Sequence, residues 1–96
     1  MGIRETLEEK RAEILRIAEN HGAHTLRVFG SVARGERLSA GNLDLLVEMN
    51  AGTSLLDLIA LKQDLEDLLS CKVDVVTAPA LSPYIRDAVI QEAVPL

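Results

Sequence analysis

Aromatic residues are nearly missing from this 96-residue sequence, which has one Phe, one Tyr and no Trp. Proteins that hold single-stranded nucleic acid stack its bases on aromatic side chains, so the composition disfavours that class. The net charge of −5 argues the same way, because a general nucleic-acid binder needs a basic face. We therefore expect no direct contact with nucleic acid.

The sequence also has little cysteine and no long apolar run. Cys71 is the only cysteine, which excludes an internal disulfide bond and a cysteine-based zinc cluster. No apolar run approaches the roughly 20 residues of a membrane span, and the charged N-terminal segment lacks the apolar centre of a signal peptide. These features predict a cytoplasmic protein that does not enter a membrane.

What the sequence does contain is enough aliphatic residues for one small core. Hydrophobic residues make up 48% of the chain, and its length allows one domain over residues 1–96. Charge is unevenly distributed: residues 1–37 hold seven Lys and Arg against six Asp and Glu, whereas residues 38–96 hold three against nine. The slight basic excess of the first part would help to bind a polyphosphate.

Periodicity predicts an α/β fold, with helices and strands in the order α-β-α-β-α-β-α. Three short strands would form a small, mixed sheet flanked by helices. The helical segments are residues 3–20, 31–37, a helix opened by Ser54 and a last helix capped by Ser82 and ended by Pro95. The strands are residues 25–29, 43–48 and 72–77.

The turn after the first strand, Gly30-Ser31, has the chemistry of a phosphate site. Glycine lets a phosphate approach the backbone, the Ser31 hydroxyl adds a donor, and a following helix would offer unpaired N–H groups. The stretch is neither a Walker A loop nor a Rossmann fingerprint. Arg34 and Arg37 flank the turn and could pair with phosphate oxygens, Arg34 more plausibly; solvent exposure is the alternative.

Acidic residues at the strands suggest a cation site. Asn42 and Asp44 are two residues apart, so both would point to one side of the second strand and could share a magnesium ion. Asp74 interrupts the apolar third strand, where a carboxylate needs a metal or a donor to compensate its burial. The alternatives are a capped strand start for Asn42 and Asp44, and an edge strand with Asp74 facing water.

Other candidate residues favour structural roles. His21 and His24 are predicted to lie at a helix end and in a loop, rather than to act as ligands or bases. Tyr84 is predicted to pack on a helix face, rather than to stack on a ligand or be modified.

In combination, Gly30-Ser31, Gly35, Asp44 and Asp74 resemble the minimal nucleotidyltransferases of the DNA polymerase β-like superfamily. Those proteins carry Gly-Ser, then Asp-x-Asp on the second strand, and a third Asp on a later strand. The stretches Gly-Ser-Val-Ala-Arg-Gly-Glu and Lys-Val-Asp-Val-Val-Thr are similar to those of stand-alone minimal nucleotidyltransferases. The resemblance covers nearly the whole chain.

The resemblance implies a function and a role for each site residue. Gly30 and Ser31 would hold ATP, with Arg34 beside them. Residues Asn42, Asp44 and Asp74 would form the magnesium site, and Asp74 would also activate the acceptor hydroxyl. Such proteins are antitoxins that transfer AMP to a partner toxin with a HEPN domain, so the resemblance also implies a hetero-oligomer.

Two residues depart from the family pattern, and one of them, Asn42, keeps a second function open. The family reads Ser-Asp-x-Asp, whereas this chain reads Gly41-Asn42-Leu43-Asp44. A neutral amide neutralises and bridges metal ions less well than a carboxylate. The alternative is a catalytically degenerate relative that binds and neutralises its HEPN partner without catalysis. A third possibility is a module that only senses ATP.

Overall fold

The first helical segment consists of two helices. In the computed structural model, which describes residues 3–30, 32–33 and 43–96, α1 spans Ile3–Glu9 and α2 spans Arg11–Asn20. The backbone leaves helical geometry at Lys10 (φ −99°, ψ 10°), whose ammonium group donates to the Leu68 carbonyl at 3.3 Å. The prediction of one continuous helix over residues 3–20 was therefore wrong.

The sheet is mixed, as predicted, but it has four strands instead of three. Strands β1 and β2 are antiparallel, β2 and β3 are parallel, and β4 is antiparallel to β1. The order across the sheet is β3-β2-β1-β4. The strands are Ala23–Phe29 (β1), Leu43–Met49 (β2), Val73–Val76 (β3) and Val94–Pro95 (β4).

The fourth strand corrects the prediction that the chain ends with a helix closed by Pro95. Val94 and Pro95 pair with Val28 and Arg27, and the Leu96 amide donates to the Leu26 carbonyl at 3.1 Å. Proline is tolerated there because an edge strand has no need of every N–H group. Two residues are too few to show the alternation by which a strand is recognised in a sequence.

The remaining helices follow β2 and β3. Helix α3 spans Leu55–Leu69, a short 3-10 helix spans Ala78–Ala80 and α4 spans Pro83–Glu92. Both predicted caps form bonds: the Ser54 amide donates to Asp57 at 2.8 Å, and the Ser82 hydroxyl accepts from the Tyr84 amide at 3.3 Å. The helix predicted over residues 31–37 falls almost entirely outside the described residues.

The main core lies on one face of the sheet, which we name the core face. Helices α2 and α3 pack on it against β1, β3 and each other. The apolar periodicity of α3 predicts that Leu55 and Ile59 are buried, but they are 69% and 41% exposed, because the helix turns its other side to the sheet. Side chains that are at most 1% exposed define this core: Ile14, Leu43, Leu45, Val47, Leu61, Leu65 and Val73.

Helix α4 crosses the opposite face. The connections β2–α3–β3 and β3–α4–β4 both join parallel strands, and such crossovers are almost always right-handed. The first moves outward from β2 to the edge at β3, and the second moves back across the sheet to β4. Because the two crossover connections move across the sheet in opposite directions but are both right-handed, their helices α3 and α4 lie on opposite faces of the sheet. Leu46 and Val89 are buried outside the main core, as this arrangement requires.

Candidate functional site

Two carboxylates lie side by side where β2 and β3 begin. Asp44 of β2 and Asp74 of β3 are direct partners in the parallel register, although 30 positions separate them in the sequence. Neighbouring strands are about 4.8 Å apart, so the two side chains project from adjacent positions. Both residues are partly buried. The strand pairing thus brings together the two predicted acidic residues.

These carboxylates point away from the main core. Leu43 and Leu45 flank Asp44 and are 0% and 1% exposed on the core face, and Val73 precedes Asp74 with 0% exposure. Because side chains alternate along a strand, Asp44 and Asp74 project from the other face, which we name the acid face. Helix α4 crosses this same face.

Gly30 lies against the carboxylate of Asp44. Phe29 pairs with Asp44 across the antiparallel β1–β2 ladder, and Gly30 follows at the end of β1 with φ +77°. A Cβ atom built on Gly30 would collide with Asp44 Oδ2. The predicted requirement for glycine therefore has two physical causes here: a left-handed backbone and the close approach of a carboxylate.

Two hydrogen bonds align the strand starts that carry the aspartates. The Leu43 amide donates to the Lys72 carbonyl at 2.9 Å, and the Val73 amide donates to Glu66 Oε2 at 3.0 Å. As one of the charged residues of α3, Glu66 is predicted from the sequence to lie on the solvent-exposed face of that helix. Its position seven residues before Val73 offers no motif by which this bond could have been recognised.

The same glutamate affects the only thiol. Burial raises the pKa of the Cys71 thiol, and the nearby negative charge of Glu66 raises it further. A raised pKa lowers the thiolate fraction near neutral pH and therefore slows alkylation.

We expect Glu66→Gln and Glu66→Ala to separate the charge of Glu66 from its hydrogen bond. Both variants lower the pKa of Cys71, so iodoacetamide alkylation at pH 8 becomes faster than in the wild type. Only Glu66→Ala leaves the Val73 amide without its acceptor, at a cost of about 1–3 kcal/mol in the free energy of unfolding. Urea denaturation measures this cost. Equal stability of the alanine and glutamine variants would contradict the role assigned to the bond.

The donor set suits a divalent metal ion. Aspartate oxygens are hard ligands of the kind that Mg²⁺ prefers, and two carboxylates together can offset its charge. Among the residues that the structure describes, no group of three or more His, Cys, Asp or Glu side chains could hold a metal. The predicted third ligand, Asn42, and the predicted nucleotide-binding residues Ser31 and Arg34 lie outside the described residues.

The histidines make structural contacts. His21 ends α2, and its Nε2 lies 2.6 Å from Asp64 Oδ2 on α3. His24 lies in β1 and not in a loop, with Nδ1 at 2.7 Å from Asn50 Oδ1 and Nε2 at 3.2 Å from Glu48 Oε2. Both bridge elements at a distance from the aspartate pair.

Tyr84 contradicts the prediction of a packed aromatic. Its side chain is 96% exposed at the second position of α4, and Ile85, one of the apolar residues that recur with helical spacing in this segment, is 49% exposed. Val89 is the single buried residue of this helix. The helix therefore presents apolar side chains to solvent on the face of the sheet that bears the acids.

Comparison with known proteins decides the family. The model of the nucleotidyltransferase domain matches residues 5–96. This chain belongs to the nucleotidyltransferase domain family. Nucleotidyltransferases generally use a divalent metal ion and a nucleoside triphosphate. The aspartate pair beside Gly30 lies within the part of the chain that the family model matches.

Two sequence relatives of this nucleotidyltransferase are described as a protein adenylyltransferase or a candidate for that activity. A Methanocaldococcus jannaschii protein, described as a candidate protein adenylyltransferase, is 40% identical over 88 residues, which cover 92% of this chain and 95% of the relative. The protein adenylyltransferase MntA of Thermococcus cleftensis is 37% identical over 78 residues, or 81% of this chain and 79% of the relative.

Two solved structures share its fold. One, described as a candidate minimal nucleotidyltransferase, superposes with a TM-score of 0.88 at 47% identity and covers 100% of this chain and 97% of that one. The second is a toxin–antitoxin with AMP-PNP; its TM-score is 0.72 at 19% identity, with coverage of 88% and 69%. At that identity the likeness concerns the fold alone.

Within the described ranges, no helix has the length and apolar character to cross a membrane.

Proposed function

We propose that this nucleotidyltransferase is an enzyme that transfers AMP from ATP to a HEPN-domain toxin and thereby neutralises it. The observation that carries the proposal is the direct pairing of Asp44 with Asp74 beside the Gly30 turn. The names of the relatives support the chemistry, since two of them are described as protein adenylyltransferases or candidates for that activity. Residues 1–96 would act as one catalytic domain.

In the proposed reaction, a hydroxyl oxygen of the toxin attacks the α-phosphorus of ATP. The new P–O bond joins AMP to the toxin, the bond to the β-phosphate bridging oxygen breaks, and pyrophosphate leaves. Asp74 accepts the hydroxyl proton, and Gly30 with Ser31 and Arg34 holds the triphosphate. Asn42, Asp44 and Asp74 would hold Mg²⁺, which supplies positive charge to the phosphate oxygens.

The neutral side chain of Asn42 keeps a second, non-catalytic function open. With a neutral amide in place of a carboxylate, the chain has one fewer negative charge for a metal ion. The alternative is a degenerate nucleotidyltransferase that binds and neutralises the HEPN toxin without modifying it.

Labelled ATP separates the two functions. The chain is mixed with Mg²⁺, ATP labelled at the α-phosphate and a HEPN-domain toxin from the same organism, and label on that protein is measured. The proposal predicts label with the wild type. If the toxin carries no label after incubation with the wild type but is labelled by Asn42→Asp, the enzymatic proposal is contradicted and the degenerate relative is favoured.

We expect Asn42→Asp to raise the rate of transfer and to lower the Mg²⁺ concentration needed for half-maximal rate. The added carboxylate restores the charge that a two-metal site uses to neutralise its cations. Titration of Mg²⁺ at fixed ATP measures both effects. An unchanged Mg²⁺ dependence would show that position 42 does not contribute to the metal site.

A further inference from the structure

The peptide unit that joins Lys72 to Val73, just before Asp74, is held from both sides. Its carbonyl, that of Lys72, accepts a hydrogen bond from the Leu43 amide of β2 at 2.9 Å, and its N–H group, that of Val73, donates to Glu66 Oε2 of α3 at 3.0 Å. Because this peptide unit is trans, its C=O and N–H groups point in opposite directions. The 72–73 peptide unit is therefore fixed between β2 and α3.

The Val73 amide depends on Glu66 because β3 forms an edge of the sheet. The strand order places β3 beside β2, and the N–H group of Val73 points away from β2. An outward N–H group of an edge strand has no strand to pair with. Val73 is 0% exposed, so water is poorly placed to replace the carboxylate. Without Glu66, the 72–73 peptide unit can regain a partner only by turning towards solvent, which moves the start of β3.

Glu66 also fixes the other end of the turn from α3 to β3. Its backbone carbonyl accepts a hydrogen bond from the Ser70 amide at 2.8 Å, and Ser70 ends α3 in a left-handed conformation with φ 55°. The backbone of Glu66 thus bonds to the first residue of the turn, and its side chain bonds to the first residue of β3. One helical residue therefore sets the path by which the chain enters the strand.

The 72–73 peptide unit immediately precedes the aspartate pair. Asp74 is the second of the four residues of β3, and the register pairs Asp74 with Asp44 directly after it pairs Val73 with Leu43. Asp74 is thus too near the start of the strand to be held by strand pairing on its N-terminal side alone. A displacement of the 72–73 peptide unit changes the separation of the two carboxylates.

We propose that Glu66 is a positioning residue that sets the affinity of the Asp44–Asp74 pair for a divalent cation. It acts through the backbone of Val73 and not as a ligand, since no group of three acidic, His or Cys side chains among the described residues could hold a metal. This inference rests on the proposed function, because it takes the aspartate pair to be the metal site of the transfer reaction.

Two conservative variants separate the position of Glu66 from its charge. Glu66→Asp keeps the negative charge, but its side chain is one methylene shorter and does not reach the Val73 amide. Glu66→Gln loses the charge but keeps the length and an oxygen that accepts the hydrogen bond. A positioning role predicts that Glu66→Asp weakens cation binding and Glu66→Gln does not. Attraction of the cation by the charge of Glu66 predicts the reverse order.

Mn²⁺ is the probe, because electron paramagnetic resonance measures the free ion directly and needs no transfer reaction. We expect about 10-fold weaker Mn²⁺ binding for Glu66→Asp and Glu66→Ala, the lower end of what partners that orient metal ligands contribute. For Glu66→Gln we expect a change of less than about twofold. Asp44→Asn should also weaken binding, which assigns the measured ion to the aspartate pair.

Gly52→Ala is the control for a general loss of stability. It strains a turn with φ +88° beyond the far end of β2 and should bind Mn²⁺ as the wild type does. If circular dichroism shows that Glu66→Ala is unfolded, the comparison of Glu66→Asp with Glu66→Gln still decides the inference.

The Mg²⁺ dependence of AMP transfer gives a second measure. Glu66→Asp should raise the Mg²⁺ concentration needed for half-maximal rate about 10-fold, and saturating Mg²⁺ should restore most of the wild-type rate. Glu66→Gln should follow the wild-type curve. A loss of rate in Glu66→Asp by the same factor at every Mg²⁺ concentration would overturn the inference, because it would indicate a smaller fraction of folded protein.

The outcomes of the Mn²⁺ experiment are separate from those of the proposed function. Weaker binding by Glu66→Asp that Glu66→Gln does not share supports the inference, even if the wild type transfers no AMP and the proposed function fails. Wild-type affinity in Glu66→Asp overturns the inference and leaves the function intact. Weaker binding by Glu66→Gln than by Glu66→Asp overturns it as well, because charge then decides. Absence of Mn²⁺ binding by the wild type also overturns it.

Discussion

Asp74→Asn is expected to reduce AMP transfer about 10²- to 10⁴-fold, the usual contribution of a positioned acid or base. In the proposed reaction, Asp74 takes the proton of the acceptor hydroxyl and also offers an oxygen to the metal ion. Asparagine has nearly the same shape, but its neutral amide is a far weaker base and a weaker metal ligand than a carboxylate. The residue is partly buried at the start of β3, with Val73 providing the core contact, so the fold should persist.

The control for Asp74→Asn is Asp67→Asn, which removes the same charge from an exposed position on α3. Initial rates of label transfer at saturating ATP measure both variants, and circular dichroism checks that both are folded. If the Asp74 variant retained wild-type activity, Asp74 could not be the base. A folded but inactive Asp74→Asn beside an active Asp67→Asn is the result that the proposed roles require.

Gly30→Ala should give the second large effect, a loss of AMP transfer of about 100-fold or more. The new methyl group would collide with the Asp44 carboxylate and displace an oxygen that the proposed site uses for metal binding. The substitution also places a Cβ atom on a backbone with φ +77°. A left-handed conformation costs a non-glycine residue about 1–2 kcal/mol, which should appear as a loss in the free energy of unfolding.

Gly52→Ala isolates the collision from the backbone strain. Gly52 has φ +88°, and no atom lies within 4 Å of a Cβ atom built there. Gly52→Ala should therefore lose about as much free energy of unfolding as Gly30→Ala does, as measured by urea denaturation, but should retain transfer activity. Equal activities of the two alanine variants would show that contact with Asp44 is not needed for the reaction.

The sequence predicts most of the fold because its strands and caps carry local signals. The apolar runs around Leu26, Leu45 and Val75 predicted the three longer strands, and Ser54 and Ser82 predicted the starts of α3 and α4. The break at Lys10 has no such signal, since α1 and α2 continue one apolar stripe across it. Strand β4 is defined by its pairing with β1 and is too short for its own pattern.

The candidate site shows the same division between local and long-range information. The Gly30 turn is local, and its glycine could be interpreted directly. The pairing of Asp44 with Asp74 depends on the crossover through α3, and only the family resemblance joined them before the structure did. The roles of Glu66 and Tyr84 were not predicted, because both lie on helices and helical periodicity describes only the helix itself. It does not reveal that Glu66 accepts a hydrogen bond from the first residue of β3. Nor does it reveal that no other element packs over the side chain of Tyr84.

Intact mass spectrometry of the HEPN protein tests the central claim most directly. The protein is incubated with wild-type chain, ATP and Mg²⁺, and digestion then locates any modified residue. The proposed function predicts a mass gain of one AMP on a hydroxyl side chain with the wild type, and no gain with Asp74→Asn. An unmodified HEPN protein after incubation with the wild type, under conditions in which Asn42→Asp adds AMP, would contradict it.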